Sequence, residues 1–285
     1  MDIKNKFGQK DPACRQAGQT LLIVVLVMVV GLTIGLSIVS KSITNVRTTT
    51  EEANSAQALA AAEAGVAQAI QTNALTGISS TYGNNASFTS KLTESAGQTT
   101  VLLNDGTIVP QDEGADLWLV PHDSSGLPVY SSPWGGSSVN IYWGDPTGPC
   151  EQAALEILVI KGSSLDPTSS RYALDPCIGR REGATGNNFT NPTAGGPYIK
   201  AEKSFSYTFQ ISVTSGLIAR IIPIYNNAII AVEDTSVTPA PFPSQGAVIT
   251  STGKAKDTTI QRKLNVFQGF SFLPIEYVNF GLVEH

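Results

Sequence analysis

LLIVVLVMVVGLTIGLSIV, residues 21–39, is the stretch that decides the fold of this 285-residue chain. It carries no charge, and as a helix its nineteen residues extend about 28 Å, close to the roughly 30 Å hydrocarbon core of a bilayer. Basic residues outnumber acidic ones before it, with Lys4, Lys6, Lys10 and Arg15 against Asp2 and Asp11. Because positive flanks stay in the cytoplasm, the sequence predicts a single-pass membrane protein with a cytoplasmic N-terminus and an extracytoplasmic C-terminal part.

The residues after this span are predicted to continue the helix. Residues 41–75 contain no Pro, one Gly and many Ala, which is unlike the start of a secreted mature chain. A cleaved secretory signal is the first alternative, but its apolar core usually has about 7–15 residues. We therefore predict that residues 19–75 form a helical region. Its main helix runs from about Thr20 to Thr72 and is about 80 Å long, half in the membrane and half packed on an exported domain.

An apolar stripe is expected to make that packing face, because its members recur at three- and four-residue steps. They are Ile43, Val46, Ala53, Ala56, Leu59, Ala60, Ala67 and Ile70. Arg47, Glu51, Glu52 and Gln57 lie beside the stripe.

Residues 76–285 are predicted to form one large exported domain rich in antiparallel β-structure. Runs of β-branched or aromatic residues bounded by Gly, Pro and Asp indicate the strands. The predicted strands are 99–103, 117–120, 139–143, 154–160, 205–213, 217–224, 228–232, 246–251 and 258–267. Residues 76–100 are expected to be a loop, and residues 165–198 a long loop of the kind that carries function. The expected fold is α+β, with the long helix covering one face of the sheet.

The N-terminal region resembles the type IV pilin superfamily. Arg15-Gln16-Ala17-Gly18 followed by Gln19-Thr20-Leu21-Leu22 is similar to a prepilin peptidase site, and AAAEAGVAQA (60–69) resembles the helix end of PilX-type minor pilins and pseudopilins. The resemblance covers about residues 12–75, and residues 246–285 are more weakly similar to the C-terminal hairpin of PilX-like proteins. It implies a leader, residues 1–18, that prepilin peptidase removes between Gly18 and Gln19.

The resemblance also implies a role. Other pilins or pseudopilins would be partners through the N-terminal helix, first in the cytoplasmic or inner membrane and then in a filament. The anchor and filament core would comprise residues 21–39, including Leu21, Leu22, Ile23, Gly31, Gly35 and Val39. Most pilins carry a Glu where this chain has Ile23, whereas PilX-like proteins and K-type pseudopilins often lack it. The chain therefore resembles a minor subunit, associated with initiation or the filament tip, of a type IV pilus or type II secretion system.

Gly31 and Gly35 form a GxxxG pattern within the span. Such a pair permits close helix approach in lipid, although Gly is also common in membrane helices in general. The superfamily suggests a further role, because its helices unwind locally near this depth and two Gly lower that cost.

Cysteine usage predicts one disulfide bond. Cys14 would be lost with the leader, which leaves Cys150 and Cys177 in an exported domain, where disulfides persist. The bond would stabilise the domain by roughly 3 kcal/mol. Two free thiols are the alternative.

The sequence offers little for catalysis, and we expect no enzyme activity, cofactor or metal. The only histidines are His122 and His285, and no Gly-x-Ser-x-Gly elbow accompanies them, so His122 is expected to be an exposed turn residue. Asp105, Asp112, Glu113 and Asp116 are expected to be solvated turn residues, since their order does not match a calcium loop.

The aromatic and charged residues are the remaining candidates for binding groups. Trp118, Trp134 and Trp143 are expected to pack in the core, with Trp134 the best candidate for an exposed aromatic. Only 14% of residues are charged and the net charge is −5, so no nucleic-acid partner is predicted.

Two alternatives to a filament subunit remain from the sequence. One is an uncleaved single-pass surface protein that binds a ligand through its β domain. The other is a tethered hydrolase, which the two histidines disfavour and which the absence of a pocket around His122 would exclude.

Overall fold

A computed structural model describes residues 17–256 and 259–270 of the chain. Its longest element is helix α1, Ala17–Thr72, which begins three residues before the predicted start and ends at the predicted residue. At its end Asn73 adopts a left-handed conformation with φ 49°, and the Ala74 amide donates to the Ala69 carbonyl at 3.1 Å. This arrangement satisfies carbonyl groups of the last turn and terminates the helix.

Thirteen strands and one short second helix follow within the described residues. The strands are β1 (Ile78–Thr81), β2 (Ser87–Glu94), β3 (Thr100–Leu102), β4 (Ala115–Trp118), β5 (Ser138–Trp143), β6 (Ala154–Gly162), β7 (Pro167–Leu174), β8 (Thr193–Lys200), β9 (Lys203–Ser212), β10 (Gly216–Ile224), β11 (Ile230–Asp234), β12 (Gly246–Lys254) and β13 (Gln261–Gly269). Helix α2 spans Ile178–Arg181.

The strands form three sheets in which every neighbouring pair is antiparallel. A small sheet has the order β1-β2-β12-β13, and α1 packs on one face of it. The other two sheets, β4-β10-β6-β7 and β3-β11-β5-β9-β8, face each other across the main hydrophobic core. Leu117, Ile157 and Ile221 of one sheet meet Ile141 and Ile211 of the other there. The α+β prediction is confirmed: a long apolar N-terminal helix accompanies antiparallel sheets.

The nine predicted strands are present with bounds shifted by a few residues, but the predicted loop over residues 76–100 is wrong. It contains β1 and β2, and β2 runs beside β12 with eight paired residues. Phe88, Ser90 and Leu92 are buried while Thr89 and Lys91 are exposed, so a period of two is present. Serine and threonine carry much of that pattern, which made the segment resemble a loop.

The predicted long loop over residues 165–198 is also wrong. It contains β7, α2 and most of β8. Both strands lie at sheet edges, where Pro, Gly and polar residues are tolerated because only one side of the strand is paired. Their sequences, PTSSRYAL and TAGGPYIK, therefore lack the apolar runs used to predict the inner strands.

Candidate functional site on the N-terminal helix

The first part of α1 is exposed along its whole length. Every residue from Gln19 to Ala53 is exposed, over about 52 Å of helix. This range includes Leu21, Leu22, Ile23 and Val39, and it contains one candidate membrane span by length and composition. Burying apolar surface gains roughly 25 cal/mol per Å², so this apolar surface favours a lipid or protein environment over water.

Gly31 and Gly35 lie in the middle of the exposed span. A Cβ added at either position would meet no atom within 4 Å. The GxxxG face is therefore open to another helix or to lipid. Of the predicted processing residues, Gly18 lies within α1 and Gln19 is exposed, whereas the rest of the leader up to Gln16, with Cys14, lies outside the described residues.

The second part of α1 packs on the small sheet through small residues. The buried positions of this part are Ala58, Ala61, Ala62, Gly65 and Ala69. Gly253 of β12 lies so near the helix that an added Cβ would collide with the Ala58 carbonyl and the Ala62 amide. A Cβ on Gly65 would likewise collide with Phe88 and Ser251. Small side chains on both surfaces thus let the helix approach the sheet closely, and we call this contact the helix seat.

The apolar stripe predicted to make this contact does not make it. All eight of its residues are exposed, including Leu59 and Ile70. Side-chain size decides which side of α1 packs on the sheet, because only Ala and Gly fit against Gly253. The larger apolar residues are left on the outward face, where the domain does not cover them.

Polar atoms also lie within the helix seat. Ser90 and Ser251 face each other in the β2–β12 register, both are fully buried, and neither hydroxyl oxygen has a hydrogen-bond partner among the described residues. Arg262 of β13 donates from Nε and Nη2 to the Ser55 hydroxyl at 2.8 and 2.6 Å. This hydrogen bond joins α1 to the edge strand of the small sheet.

Cys150 and Cys177 form a disulfide bond at one end of the two-sheet core. Beside it the fully buried Asp175 accepts hydrogen bonds from the Cys177 amide at 2.9 Å and from Arg180 Nη2 at 2.8 Å. The Arg180 guanidinium also donates to the carbonyls of Cys150 and Gln152. The disulfide bond therefore belongs to a network that holds α2 against residues 150–152.

His122 is not an exposed turn residue. Its ring stacks on Phe270 with centroids 3.6 Å apart and meets the edge of Trp118 at 4.6 Å. Burial lowers the pKa of His122 below its usual value, and the negative charge of Asp123 opposes that shift only in part. Nδ1 is buried and has no hydrogen-bond partner in the described part of the chain.

A cavity of about 400 Å³ lies beside His122, so the hydrolase alternative is not excluded by the absence of a pocket. Ser124 and Ser125 also line it. The neighbouring Asp123 accepts hydrogen bonds at Oδ1 from the amides of Ser125 and Leu127, and it accepts none from Nδ1 of His122. Within the described residues, His122 therefore lacks the carboxylate partner that orients the base of a Ser-His-Asp triad.

Trp134 and Asp116 are both more buried than the sequence predicts. Trp134 is only 8% exposed, stacks on Phe242 at 4.6 Å and donates from Nε1 to the Pro241 carbonyl at 3.1 Å, so it is a core residue like the other two tryptophans. Asp116 is not solvated, because it lies in β4 and forms an ion pair with Arg220.

Among residues 17–256 and 259–270, no group of three or more His, Cys, Asp or Glu could hold a metal ion.

Comparison of the chain with family models, with curated proteins and with solved structures gives no match. The resemblance of the N-terminal region to pilins therefore rests on its own residues.

Proposed function

We propose that this chain is a minor pilin or pseudopilin, a non-enzymatic subunit of a type IV pilus-like or type II secretion filament. Prepilin peptidase removes residues 1–18, and the mature chain is held in the membrane by residues 21–39 before it enters the filament. The observation that carries the proposal is the 35-residue exposed stretch of α1, which is apolar in its first half.

The side of α1 that the sheet leaves uncovered supports the same proposal. Leu59 and Ile70 are exposed on the side of α1 that the sheet does not cover. Apolar side chains exposed on a helix favour packing against other helices. In the proposed filament these partners are the helices of neighbouring subunits.

Ile23 supports a position at the tip or in initiation. The corresponding Glu of most pilins neutralises the N-terminal amine of a neighbouring subunit. A carboxylate within a bilayer costs several kcal/mol unless it is paired, so a subunit that has no neighbour ahead of it gains by replacing Glu with an apolar residue.

The proposal is tested in cells that assemble such filaments. The wild-type chain is expected in the filament fraction that shearing releases. Gly18→Leu is expected to remain in the membrane at full length, and Gly8→Leu, which changes the same residue type elsewhere in the leader, is expected to behave as wild type. If all three chains stay in the membrane fraction at full length, the chain is the alternative single-pass surface protein.

A further inference from the structure

The small sheet has a second face, turned away from α1, that carries three lysines among hydroxyl and amide side chains. The helix packs on the side that holds Phe88, Ser251 and Gly253. Because side chains alternate along a strand, the intervening residues point to the opposite side. We call these residues the outer face: Ser87, Thr89, Lys91, Thr93, Val248, Thr250, Thr252, Lys254, Gln261, Lys263, Asn265 and Phe267.

The strand register places these side chains in rows. Thr252 lies between Thr89 and Lys263, and Thr250 lies between Lys91 and Asn265. The Thr250 hydroxyl donates to the Asn265 side-chain oxygen at 3.0 Å, while Thr89 and Thr93 are exposed. The outer face is therefore a regular array of hydrogen-bonding groups.

All three lysines are exposed. With strands about 4.8 Å apart and same-face residues about 6.8 Å apart, the register puts the Cα atoms of Lys254 and Lys263 about 8 Å apart. Lys91 lies about 12 Å from Lys263 on the same estimate. Within the described residues the outer face holds no Asp or Glu, although the whole chain has a net charge of −5. It is thus a local positive surface on an acidic protein.

We propose that the outer face binds an acidic polysaccharide, a polymer that carries uronate carboxylates. The lysines pair with the carboxylates, and the threonine, serine and asparagine side chains exchange hydrogen bonds with the sugar hydroxyls. Three charges spread over a flat, polar surface suit an extended polymer that repeats its negative charge. This inference does not depend on assembly into a filament.

Two other anionic partners fit less well. Nucleic-acid sites use arginine forks and exposed aromatic rings, and the outer face has no arginine, while its aromatic residue, Phe267, is half-buried beside the cavity that Trp118 also lines. A membrane surface is too far away. Gly253, next to Lys254, lies against Ala58, which is about 28 Å along the helix from Val39, well beyond the Debye length of about 8 Å.

The test measures binding of labelled polygalacturonate to the full-length chain in nonionic detergent by fluorescence anisotropy. Wild type is expected to bind it, to lose affinity as salt is raised, and not to bind neutral dextran. The variant Lys91→Gln/Lys254→Gln/Lys263→Gln is expected to weaken binding by about tenfold or more, since each exposed ion pair contributes modestly. The control Lys41→Gln/Lys161→Gln/Lys203→Gln has the same net charge and is expected to bind like wild type.

Three results would overturn the proposal. Equal weakening in the two triple variants would mean that net charge alone matters. Binding of wild type to dextran as tightly as to polygalacturonate would show that the carboxylates do not contribute to binding. Tighter binding to single-stranded DNA, or binding to anionic vesicles that the Lys91/Lys254/Lys263 variant weakens and the control variant does not, would assign the outer face to one of the other two partners.

Discussion

Asp116 and Arg220 form the most deeply buried ion pair among the described residues. Their side chains are 2% and 6% exposed, and Arg220 donates from Nε and Nη2 to the two carboxylate oxygens at 2.8 and 3.0 Å. Removing one charge of such a pair leaves the other uncompensated inside the protein. We predict that Asp116→Asn lowers the free energy of unfolding by about 3–5 kcal/mol in urea titrations.

The matched control is Glu156→Gln. Glu156 pairs with Arg171 at a similar distance, 3.1 Å, but both side chains are more than a third exposed. Water and salt screen such a pair, so the loss is expected to stay within about 1 kcal/mol. Equal losses in the two variants would show that the buried ion pair of Asp116 matters no more to stability than the exposed pair of Glu156.

His122 predicts a pH dependence of stability. Burial lowers the pKa of His122 in the folded chain below its usual 6.5, so the unfolded chain binds protons more readily. The folded state therefore loses stability as the pH falls below about 6.5. His122→Phe keeps a ring against Phe270 and Trp118 but cannot take up a proton.

Thermal unfolding between pH 7 and pH 5 measures this effect. The melting temperature of wild type is expected to fall over this range by more than that of His122→Phe, because Asp and Glu titrate mainly at lower pH. The same slope in the two proteins would mean that protonation of His122 does not oppose folding.

At the scale of elements, the helix seat depends on small residues where α1 meets β12. Even one methyl group at Gly253 collides with the backbone of α1. Gly253→Ala is expected to lower the free energy of unfolding by about 1–3 kcal/mol, because α1 must move away from β12. Gly83→Ala is the control, since an added Cβ there meets no atom within 4 Å. If calorimetry finds both variants as stable as wild type, α1 does not rest on Gly253.

The helix could be predicted from sequence, but its buried side could not. Length, absence of Pro and Ala content gave its extent nearly to the residue. Both sides of its second half contain Ala, and hydrophobicity selected Leu59 and Ile70, the larger residues. The structure buries Ala62 and Gly65 instead, because the sheet presents Gly253 at that point. Steric fit between two distant segments is not visible in the periodicity of either one.

The strands also divide into those that the sequence predicts and those that it does not. Inner strands such as β6 and β10 are apolar runs, and the sequence predicted them. The edge strands β7 and β8, and the serine- and threonine-rich β2, were missed. Pairing with a neighbouring strand stabilises such segments, and that neighbour lies outside any local window. His122 was misassigned for the same reason, since Phe270 lies 148 residues later in the sequence.

At the scale of the whole molecule, the chain consists of a β-rich domain with its own cores and a helix that extends about 52 Å beyond it. A protein that works alone in water gains nothing from such an extension. In the proposed account the exposed helix first lies in a membrane and later packs among the helices of other subunits. That account requires a specific cut ahead of the span.

The mass of the mature chain tests this requirement most directly. The protein is purified from the membranes of cells that contain active prepilin peptidase, and its intact mass and N-terminal peptide are measured. The account predicts a chain that begins at Gln19 and lacks residues 1–18. A chain that retains Met1, or one cut after residue 39 as a secretory signal would be, would contradict it.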